Sequence, residues 1–338
     1  MTVTDERWQS AMREALALAE SPEAPHGENP RVGCVILDER GDVVGRGFHR
    51  GAGTPHAEVV ALADAGELAR GGTAIVTLEP CRHVGRTGPC TDALIRAGVS
   101  RVVVAQADPT DVAGGGAGVL RSAGIEVVEG VLAGHAAAVN EEWTFAVTHG
   151  RPLVTWKAAI SLDGRVAGPD GGPTAITHQA ARDEVMRLRA RVGAIIVGTG
   201  TALTDDPALT VRAPARVVGP PPLRVVMGSR SLRAGSRLLD DSAPTLLTAE
   251  RDPATVLAVL YQRGVRHALL EGGPVLARAF LEAGVVDRVV WYVAAVVLGD
   301  GPVALPPLAR GPVGVDVADS YAVGEDVCIR GSVRYEEQ

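Results

Sequence analysis

The sequence predicts an α/β protein of two domains. Aliphatic segments that predict strands alternate with amphipathic segments that predict helices along the chain, as in layered α/β domains. Aromatic residues are 3% of the chain and hydrophobic residues 46%, so we expect cores of Val, Leu, Ile and Ala, as in parallel sheets. The length of 338 residues favours two domains. A polar break with Gly and Pro at 147–152 then predicts domains 1–148 and 151–338.

The first half opens with a helix over 7–19, because Trp8, Met12 and Leu16 recur on one helical face. Two strands joined by a turn at 39–42 follow, and Gly98 is expected to close a later helix. The predicted strands are 32–38, 43–48, 73–78, 101–106 and 125–130, and the predicted helices follow His56 and cover 90–98 and 118–124.

The second half starts the alternation again, with no detectable repeat of the first half. The predicted strands are 153–162, 194–198, 223–228, 245–249, 267–272, 287–299 and 326–336. Helices are predicted at 179–190, 253–263 and 274–283, the last with a Pro suited to a first helical position.

Charge and composition argue against several classes of protein. The net charge of −7 and the pI near 5.7 give no overall basic field for nucleic acid. The first residues are acidic and lack the apolar segment of a secretory signal, and the longest apolar run, 289–298, is about half of a membrane span. Four unevenly spaced cysteines do not form a disulfide framework. We therefore expect a cytoplasmic protein with reduced thiols.

A metal-binding pattern lies in the first half. His56 is followed by "TLEPCRHVGRTGPC", which contains Cys81 and Cys90. One His and two Cys are ligands suited to tetrahedral zinc, with a fourth corner for water, whose pKa the metal lowers. Glu58, two residues after the His, is placed to move the proton of that water, as in the His-x-Glu…Pro-Cys signature of nucleobase deaminases. The alternative is that two loop cysteines follow a His-x-Glu by coincidence.

The spacing of the cysteines differs from the common deaminase pattern. Eight residues separate Cys81 from Cys90, so Cys81 would end a loop and Cys90 would open a helix, whose N-terminus favours a thiolate. The intervening loop carries His83 and Arg86, which suit a substrate with a phosphate. Cys34 and Cys328 lie in predicted strands and are expected in the cores.

The second half shows no dinucleotide-binding fingerprint of the Rossmann type. "GTGTAL" lacks the third glycine, and "TDDP" stands where a helix should open. In "LLEGGPVLARAFLEAG" a strand runs into Gly272 and Gly273 before a helix. The free N–H groups at such a helix start suit a pyrophosphate, although a strand–Gly–helix turn is also ordinary.

Several motifs together resemble one known family. "NPRVGCVI", "HAEVVAL", "TLEPCRHVGRTGPC" and "ADPTDVAGGGAG", followed by "WKAAISLDGRVA", "GTGTALTDDPALTVR" and "LLEGGPVLA", resemble the bifunctional riboflavin biosynthesis proteins called RibD, in family order over about 29–299. The resemblance implies hydrolytic deamination of a diamino-pyrimidinone ribosylamine 5′-phosphate, followed by NADPH-dependent reduction of its ribosyl to a ribityl chain. It also implies a cytidine-deaminase-like α/β/α layer followed by a dihydrofolate-reductase-like α/β domain.

The resemblance also implies site residues. Contacts to the deaminase substrate fall on Asn29, His49, His83 and Arg86. Contacts to NADPH fall on Ala159, Ala175, Thr201, Asp205, Ser229 and the segment from Gly273. Contacts to the reductase substrate fall on Lys157, Arg189, Leu209, Arg212 and Glu271, with Arg189 and Arg212 expected to hold the phosphate by paired hydrogen bonds.

This chain departs from the family pattern at a few positions. Thr110 replaces an Asn that contacts the deaminase substrate. Pro173 and Ala175 replace a Ser and a Trp near the expected nicotinamide, and Gly228 replaces an Asp.

Two alternatives remain open from the sequence. The first is a zinc deaminase whose second domain only binds a nucleotide or a phosphate ligand. The second is a nucleic-acid base deaminase with an appended binding domain, which the acidic net charge disfavours. The main interpretation is a bifunctional enzyme with one Zn²⁺ per chain and NADPH, acting on a small phosphorylated pyrimidine and forming a homo-oligomer, without a nucleic-acid or membrane partner.

Overall fold

The computed structural model describes residues 6–83, 88–172 and 174–335. The chain forms two compact units, Met1–Thr148 and His149–Gln338. Both units have helices packed on mixed β-sheets, which confirms the predicted α/β class with two domains. No helix within the described residues is both long enough and apolar enough to cross a membrane.

The first unit has a sheet of five strands between two helical layers. Its helices are α1 (Glu6–Ala19), α2 (Ala57–Ala65), α3 (Cys90–Ala97), α4 (Gly116–Ser122), α5 (Ala133–Val139) and α6 (Glu141–His149). Its strands are β1 (Gly33–Leu37), β2 (Val43–Phe48), β3 (Thr73–Leu78), β4 (Arg101–Gln106) and β5 (Glu126–Glu129). The sheet order is β2-β1-β3-β4-β5, antiparallel around β1 and parallel from β3 to β5.

Each face of this sheet carries its own apolar core. One core joins α1 and α5 to the sheet through residues such as Met12, Leu16 and Val103. The other lies under α2, α3 and α4, around Ala61, Val76 and Leu94. Aliphatic side chains dominate both, and the result is the expected α/β/α layer.

Helix α2 lies unusually close to strand β2. A Cβ atom at Gly47 would stand 2.3 Å from the carbonyl oxygen of Ala57, and one at Gly45 would stand 2.3 Å from that of Ala61. Any larger residue at these positions would push the helix off the strand. The two glycines therefore fix the start of α2, which carries His56 and Glu58.

The second unit has a sheet of eight strands. The strands are β6 (Leu153–Ser161), β7 (Ala194–Gly198), β8 (Leu223–Met227), β9 (Thr245–Thr248), β10 (His267–Leu270), β11 (Arg288–Ala294), β12 (Gly314–Val323) and β13 (Asp326–Arg334). The helices are α7 (Gln179–Arg189), α8 (Thr199–Asp205), α9 (Pro253–Gln262) and α10 (Pro274–Glu282). The sheet order is β12-β13-β11-β6-β10-β7-β8-β9.

Six neighbouring strands of this sheet, from β11 to β9, are parallel. The largest core packs α9 and α10 on one face, around Leu257, Phe280 and Ile196. In a parallel sheet all carboxyl ends meet at one edge, where ligands commonly bind. The segments after β10, β7 and β8, which hold most of the predicted cofactor and substrate residues, therefore share that edge.

Several boundaries differ from the sequence prediction. Helix α8 opens directly after β7, where no helix was expected, and ends at Asp205, before Asp206, whose φ is +39°. Strand β11 ends at Ala294 rather than near 299, because the backbone N–H groups of Leu298 and Gly299 donate to the carboxylate of Asp163 instead of a neighbouring strand.

Besides α8, three further elements were not predicted. Helices α5 and α6 cover a stretch to which no element had been assigned, and β12 was also missed. Nearly every residue of β12 is exposed or half-buried, so its sequence lacks the alternation that marks a strand with one buried face.

Candidate metal centre and cofactor site

The three predicted metal ligands come from different elements of the first unit. His56 is the extended residue that precedes α2, Cys81 follows the carboxyl end of β3, and Cys90 is the first residue of α3. The three residues lie far apart in sequence. The chain direction at the end of β3 and the tight packing of α2 bring their side chains to one point.

The spacing of the ligand atoms fits zinc. His56 Nδ1 lies 3.1 Å from Cys90 Sγ and 3.6 Å from Cys81 Sγ, and the three atoms lie within 4.8 Å of one another. A tetrahedral zinc about 2.3 Å from sulfur and about 2.0 Å from nitrogen spaces such ligands about 3.5 Å apart. The cluster could therefore accept the ion with little movement, and one corner would stay open.

The two thiols form a coupled pair. The Cys90 thiol donates to the sulfur of Cys81 and, with help from His56, lowers the pKa of Cys81 to about 4. The same interaction, together with burial, raises the pKa of Cys90. One thiolate is thus already stabilised, which is the protonation state that a soft divalent ion needs from its ligands.

Glu58 stands beside the three ligands without belonging to their group. It lies in the first turn of α2, is 4% exposed, and contacts the Cys90 thiol. Burial raises the pKa of its carboxyl group. Within the described part of the chain, the cluster whose ligand atoms approach within 4.8 Å contains His56, Cys81 and Cys90 but not Glu58.

A cavity of about 480 Å³ opens in front of this group. Asn29 and His49 form one wall: Asn29 Nδ2 donates to His49 Nε2 at 2.9 Å, and the other ring nitrogen of His49 donates to the carbonyl oxygen of Pro55 at 3.3 Å. Burial lowers the pKa of His49, in keeping with the neutral ring that these two bonds require. The wall therefore holds the Asn29 side chain in one orientation.

His83 also lines the cavity. Its Nδ1 is buried and has no hydrogen-bond partner among the described residues. A buried ring nitrogen without a partner is costly, so a ligand atom or a water molecule is expected there. Arg86, predicted to act with His83, lies outside the described residues.

Sequence reasoning missed several residues of this cavity. Glu79, Asp108 and Trp143 line it together with Thr110. Glu79 is 7% exposed, and its two oxygens accept the backbone N–H groups of Asp108 (3.1 Å) and Ala117 (2.8 Å). Asp108 in turn accepts the Thr110 hydroxyl at 2.6 Å. The "EP" before Cys81 was the one available signal for Glu79.

In the second unit, three of the five residues predicted to bind the reductase substrate, Lys157, Arg189 and Glu271, meet at a buried carboxylate. Glu271, just after β10, accepts Nε and Nη2 of Arg189 at 2.6 and 2.9 Å, and Lys157 Nζ lies 3.9 Å away. The side chains of Glu271 and Arg189 are 7% and 11% exposed. The remaining nitrogen of Arg189 donates to the carbonyl oxygen of Thr210 at 3.2 Å.

This arrangement differs from the expected one. The paired hydrogen bonds of Arg189 are made with Glu271, so a phosphate contact from Arg189 stays a prediction. Arg212 is exposed, and Leu209, close by in the same loop, is buried with a φ of +48°.

Four of the predicted cofactor residues follow the carboxyl ends of β10, β7 and β8. The backbone N–H of Gly273, which precedes α10, donates to Thr201 Oγ1 at 3.1 Å, and this bond ties the end of β10 to α8. Asp205 ends α8, and burial raises the pKa of its carboxyl group. Ser229 follows β8, Ala159 lies within β6, and Ala175 is exposed. Pro173 lies outside the described residues.

The glycine at position 228 has a local structural explanation. Its φ is +129°, and a Cβ atom there would stand 2.6 Å from Thr199 Oγ1. The backbone in this chain therefore requires glycine where the resemblance expects Asp.

The fold and the two groups of residues define a zinc-type deaminase unit followed by a reductase-type unit on a mostly parallel sheet. Comparison with known proteins agrees. The cytidine and deoxycytidylate deaminase zinc-binding region matches residues 5–106, and the RibD C-terminal domain matches residues 152–329.

Relatives that cover most of the chain were also found. The riboflavin biosynthesis protein RibD of Mycobacterium tuberculosis is 50% identical over 276 residues, which cover 81% of this chain and 80% of that protein. The RibD structure of Acinetobacter baumannii (form 1) has a TM-score of 0.88 and 34% identity, covering 98% of this chain and 99% of that one. A Thermotoga maritima diaminohydroxyphosphoribosylaminopyrimidine deaminase/5-amino-6-(5-phosphoribosylamino)uracil reductase has a TM-score of 0.85 and 30% identity, covering 97% and 99%.

The chain belongs to the RibD family of riboflavin biosynthesis proteins. It is a bifunctional enzyme, a zinc-dependent deaminase and an NADPH-dependent reductase of that pathway. The predicted fold class, activities and cofactors are thereby confirmed.

Proposed function

We propose that the first unit hydrolyses the exocyclic amine of 2,5-diamino-6-ribosylamino-4(3H)-pyrimidinone 5′-phosphate. The second unit would then reduce the ribosyl group of the product to a ribityl chain. The observation that carries the proposal is the buried Glu58 beside the His56–Cys81–Cys90 cluster, in the lining of a cavity of about 480 Å³. The activity named for the T. maritima relative supports this substrate pair.

In the first unit, His56, Cys81 and Cys90 would hold zinc, which supplies Lewis-acid activation of a water molecule. Glu58 would take a proton with its carboxylate and return it to the departing amine. Its burial and its position on the rigid first turn of α2 keep the carboxylate aimed at one place. Contact with the Cys90 thiol holds it near the reacting atoms without a place in the ligand group.

The substrate would be recognised by polar groups of the cavity wall. The Asn29 amide oxygen has no partner among the described residues and could accept from the pyrimidine ring, while His49 fixes the amide. A substrate atom would form a hydrogen bond with the unpartnered Nδ1 of His83. The proposal that Arg86 binds the substrate phosphate rests on the sequence alone.

In the second unit, Lys157 and Glu271 would orient the sugar chain, and Arg212 would bind the phosphate together with the backbone near Leu209. Arg189 would reach the phosphate only by sharing or exchanging Glu271, because the paired bonds of its guanidinium are already made. NADPH supplies the hydride when bound. Gly273, Thr201, Asp205, Ser229, Ala159 and Ala175 are the residues proposed to hold it.

Assembly and location are proposals of the same kind. We propose a homo-oligomer located in the cytoplasm. The net charge of −7 favours a protein that does not bind nucleic acid. Size measurement in solution and a heparin column test these points directly.

The test uses the purified full chain with the phosphorylated pyrimidine, with and without NADPH. Ammonia release without NADPH, and NADPH oxidation that depends on prior deamination, would support both steps. Deamination without any NADPH oxidation would contradict the second proposed reaction and leave the first intact.

A further inference from the structure

Asn140 is a buried amide between two helices of the first unit. It lies between α5, which ends at Val139, and α6, which begins at Glu141, and it is 2% exposed. Its Oδ1 accepts the backbone N–H of Arg31 at 2.8 Å, and its Nδ2 donates to the carbonyl oxygen of the same residue at 2.9 Å. One side chain thus pairs with both main-chain groups of a residue 109 positions away.

These two bonds hold a short segment that precedes strand β1. Residues 29–32 lie outside the paired part of the sheet, because β1 begins at Gly33. Backbone N–H and carbonyl groups need hydrogen-bond partners where water is excluded. At Arg31 the Asn140 amide takes the place of the partner strand that this segment lacks.

The same segment carries the wall of the deaminase cavity. Asn29 stands two residues before Arg31. On the other side of Arg31, the carbonyl oxygen of Val32 accepts the backbone N–H of His49 at 3.0 Å. The side chains of Asn29 and His49 are joined by their own bond of 2.9 Å. Arg31 therefore lies midway between two contacts to His49, and a shift of its backbone would change the direction of the Asn29 amide.

The metal centre depends on other contacts. His56 and Glu58 belong to the start of α2, and the two cysteines follow β3 and open α3. The Asn140 amide makes its bonds with Arg31 instead, and within the described part of the chain it does not line the cavity. Loss of this amide should disturb the wall that receives the substrate and leave the zinc ligands in place.

We propose that Asn140 is a positioning residue of the deaminase site, which fixes Arg31 and thereby holds the Asn29 amide in the orientation that receives the pyrimidine. The inference rests on the proposed function, in which Asn29 binds the substrate, and adds a residue that does not touch the ligand. Its effect falls on substrate affinity rather than on the hydrolytic step, because Glu58 and the metal ligands are held by other elements.

The experiment is a double-mutant cycle on the full chain, followed by steady-state ammonia release. KM and kcat for the phosphorylated pyrimidine are measured for the unchanged enzyme, Asn140→Ala, Asn29→Ala and the variant with both changes. Zinc content and NADPH oxidation with the deaminated intermediate, measured on the same preparations, show whether both units are intact. Ser100→Ala is the matched control, because its hydroxyl also binds backbone carbonyl groups, those of Gly71 and Gly72, but at the amino ends of β3 and β4.

The Asn140→Ala variant should have a KM about tenfold higher, as expected for two lost hydrogen bonds, and a kcat within about twofold of the unchanged enzyme. Asn29→Ala should itself raise KM. In the chain that lacks the Asn29 amide, removal of Asn140 should raise KM by less than a further factor of about two, because no amide is left to position. The control should match the unchanged enzyme.

Equal increases in KM with and without Asn29 would overturn the inference, since Asn140 would then act independently of that residue. A fall in kcat or zinc content at unchanged KM would also overturn it, and so would a normal KM for Asn29→Ala. If Asn140→Ala does not fold, Asn140→Asp takes its place in the cycle, because it keeps the shape but sets a carboxylate oxygen against the Arg31 carbonyl. An unchanged enzyme that releases no ammonia would refute the proposed function and this inference together, whereas additive changes in KM refute the inference alone.

Discussion

The metal centre of the first unit and the cofactor edge of the second differ in how their parts are held. In the first unit three ligand atoms and one carboxylate meet around a point, with His56 Nδ1 3.1 and 3.6 Å from the two sulfur atoms. In the second unit the residues follow one another along the ends of four neighbouring strands, from β6 to β8. A metal demands a fixed set of ligand types, whereas an extended cofactor can be held by backbone groups and varied side chains.

This difference explains why departures from the family pattern gather in the second unit. Exchange of any one of His56, Cys81 or Cys90 would leave an incomplete tetrahedral site. Ala175 stands where the family has a Trp, and Gly228 where it has an Asp. These replacements remove a side-chain contact or a ligand preference, but the backbone groups at the strand ends remain. We therefore expect abrupt losses from changes in the first site and graded changes from most changes in the second.

The largest effect is expected from Cys81→Ser. A serine hydroxyl is a poor zinc ligand beside a His and a Cys, so metal content should fall to background and deamination should stop. Elemental analysis of the purified variant checks this. Cys34→Ala, which removes another buried thiol of the same unit, should keep its zinc. Normal zinc content in Cys81→Ser would contradict the ligand assignment.

The Glu58→Gln variant should keep its zinc but lose its deaminase activity. The amide has nearly the same shape as the carboxylate but cannot carry the proton, so deamination should fall by about two or more orders of magnitude. Ammonia release and zinc content are measured on the same preparation, with Glu67→Gln, an exposed neighbour, as the control. Zinc loss together with the carboxylate would mean that Glu58 is a ligand.

Arg189→Lys tests the buried ion pair of the second unit. A lysine cannot bridge both oxygens of Glu271 and also reach Thr210, so NADPH oxidation should slow about tenfold while deamination stays unchanged. Steady-state rates of both half-reactions show whether the effect is confined to one unit. Arg187→Lys, on an exposed part of the same helix, is the control. Unchanged reduction would show that the pairing of Glu271 does not matter for turnover.

The smallest effect is expected from Ala175→Trp. An aromatic surface next to the cofactor contributes about 1 kcal/mol, so the Michaelis constant for NADPH should fall about fivefold. The turnover number and the Michaelis constant for the pyrimidine should change little. An unchanged constant for NADPH would mean that Ala175, exposed in this structure, does not face the cofactor.

The sequence predicted most of the layered fold and the metal centre, because both have local signals. Strand β3 and the Gly98 end of α3 were correct to within a residue, since aliphatic runs and glycine stops are local features. The bond between Arg189 and Glu271 could not be foreseen, because the two residues are 82 positions apart and meet only through the strand order. Glu79 and Asp108 were missed for a similar reason, since loop carboxylates look alike until their partners are known.

The measurement that tests the account most directly isolates the second site. Glu58→Gln protein is given the deaminated pyrimidine intermediate, so that only the reductase can act, and the nicotinamide absorbance is followed. If the two sites are assembled independently, this variant should oxidise NADPH at the rate of the unchanged enzyme, despite Pro173 and Ala175. No NADPH oxidation at saturating cofactor would contradict the account and leave a deaminase whose second unit only binds ligands.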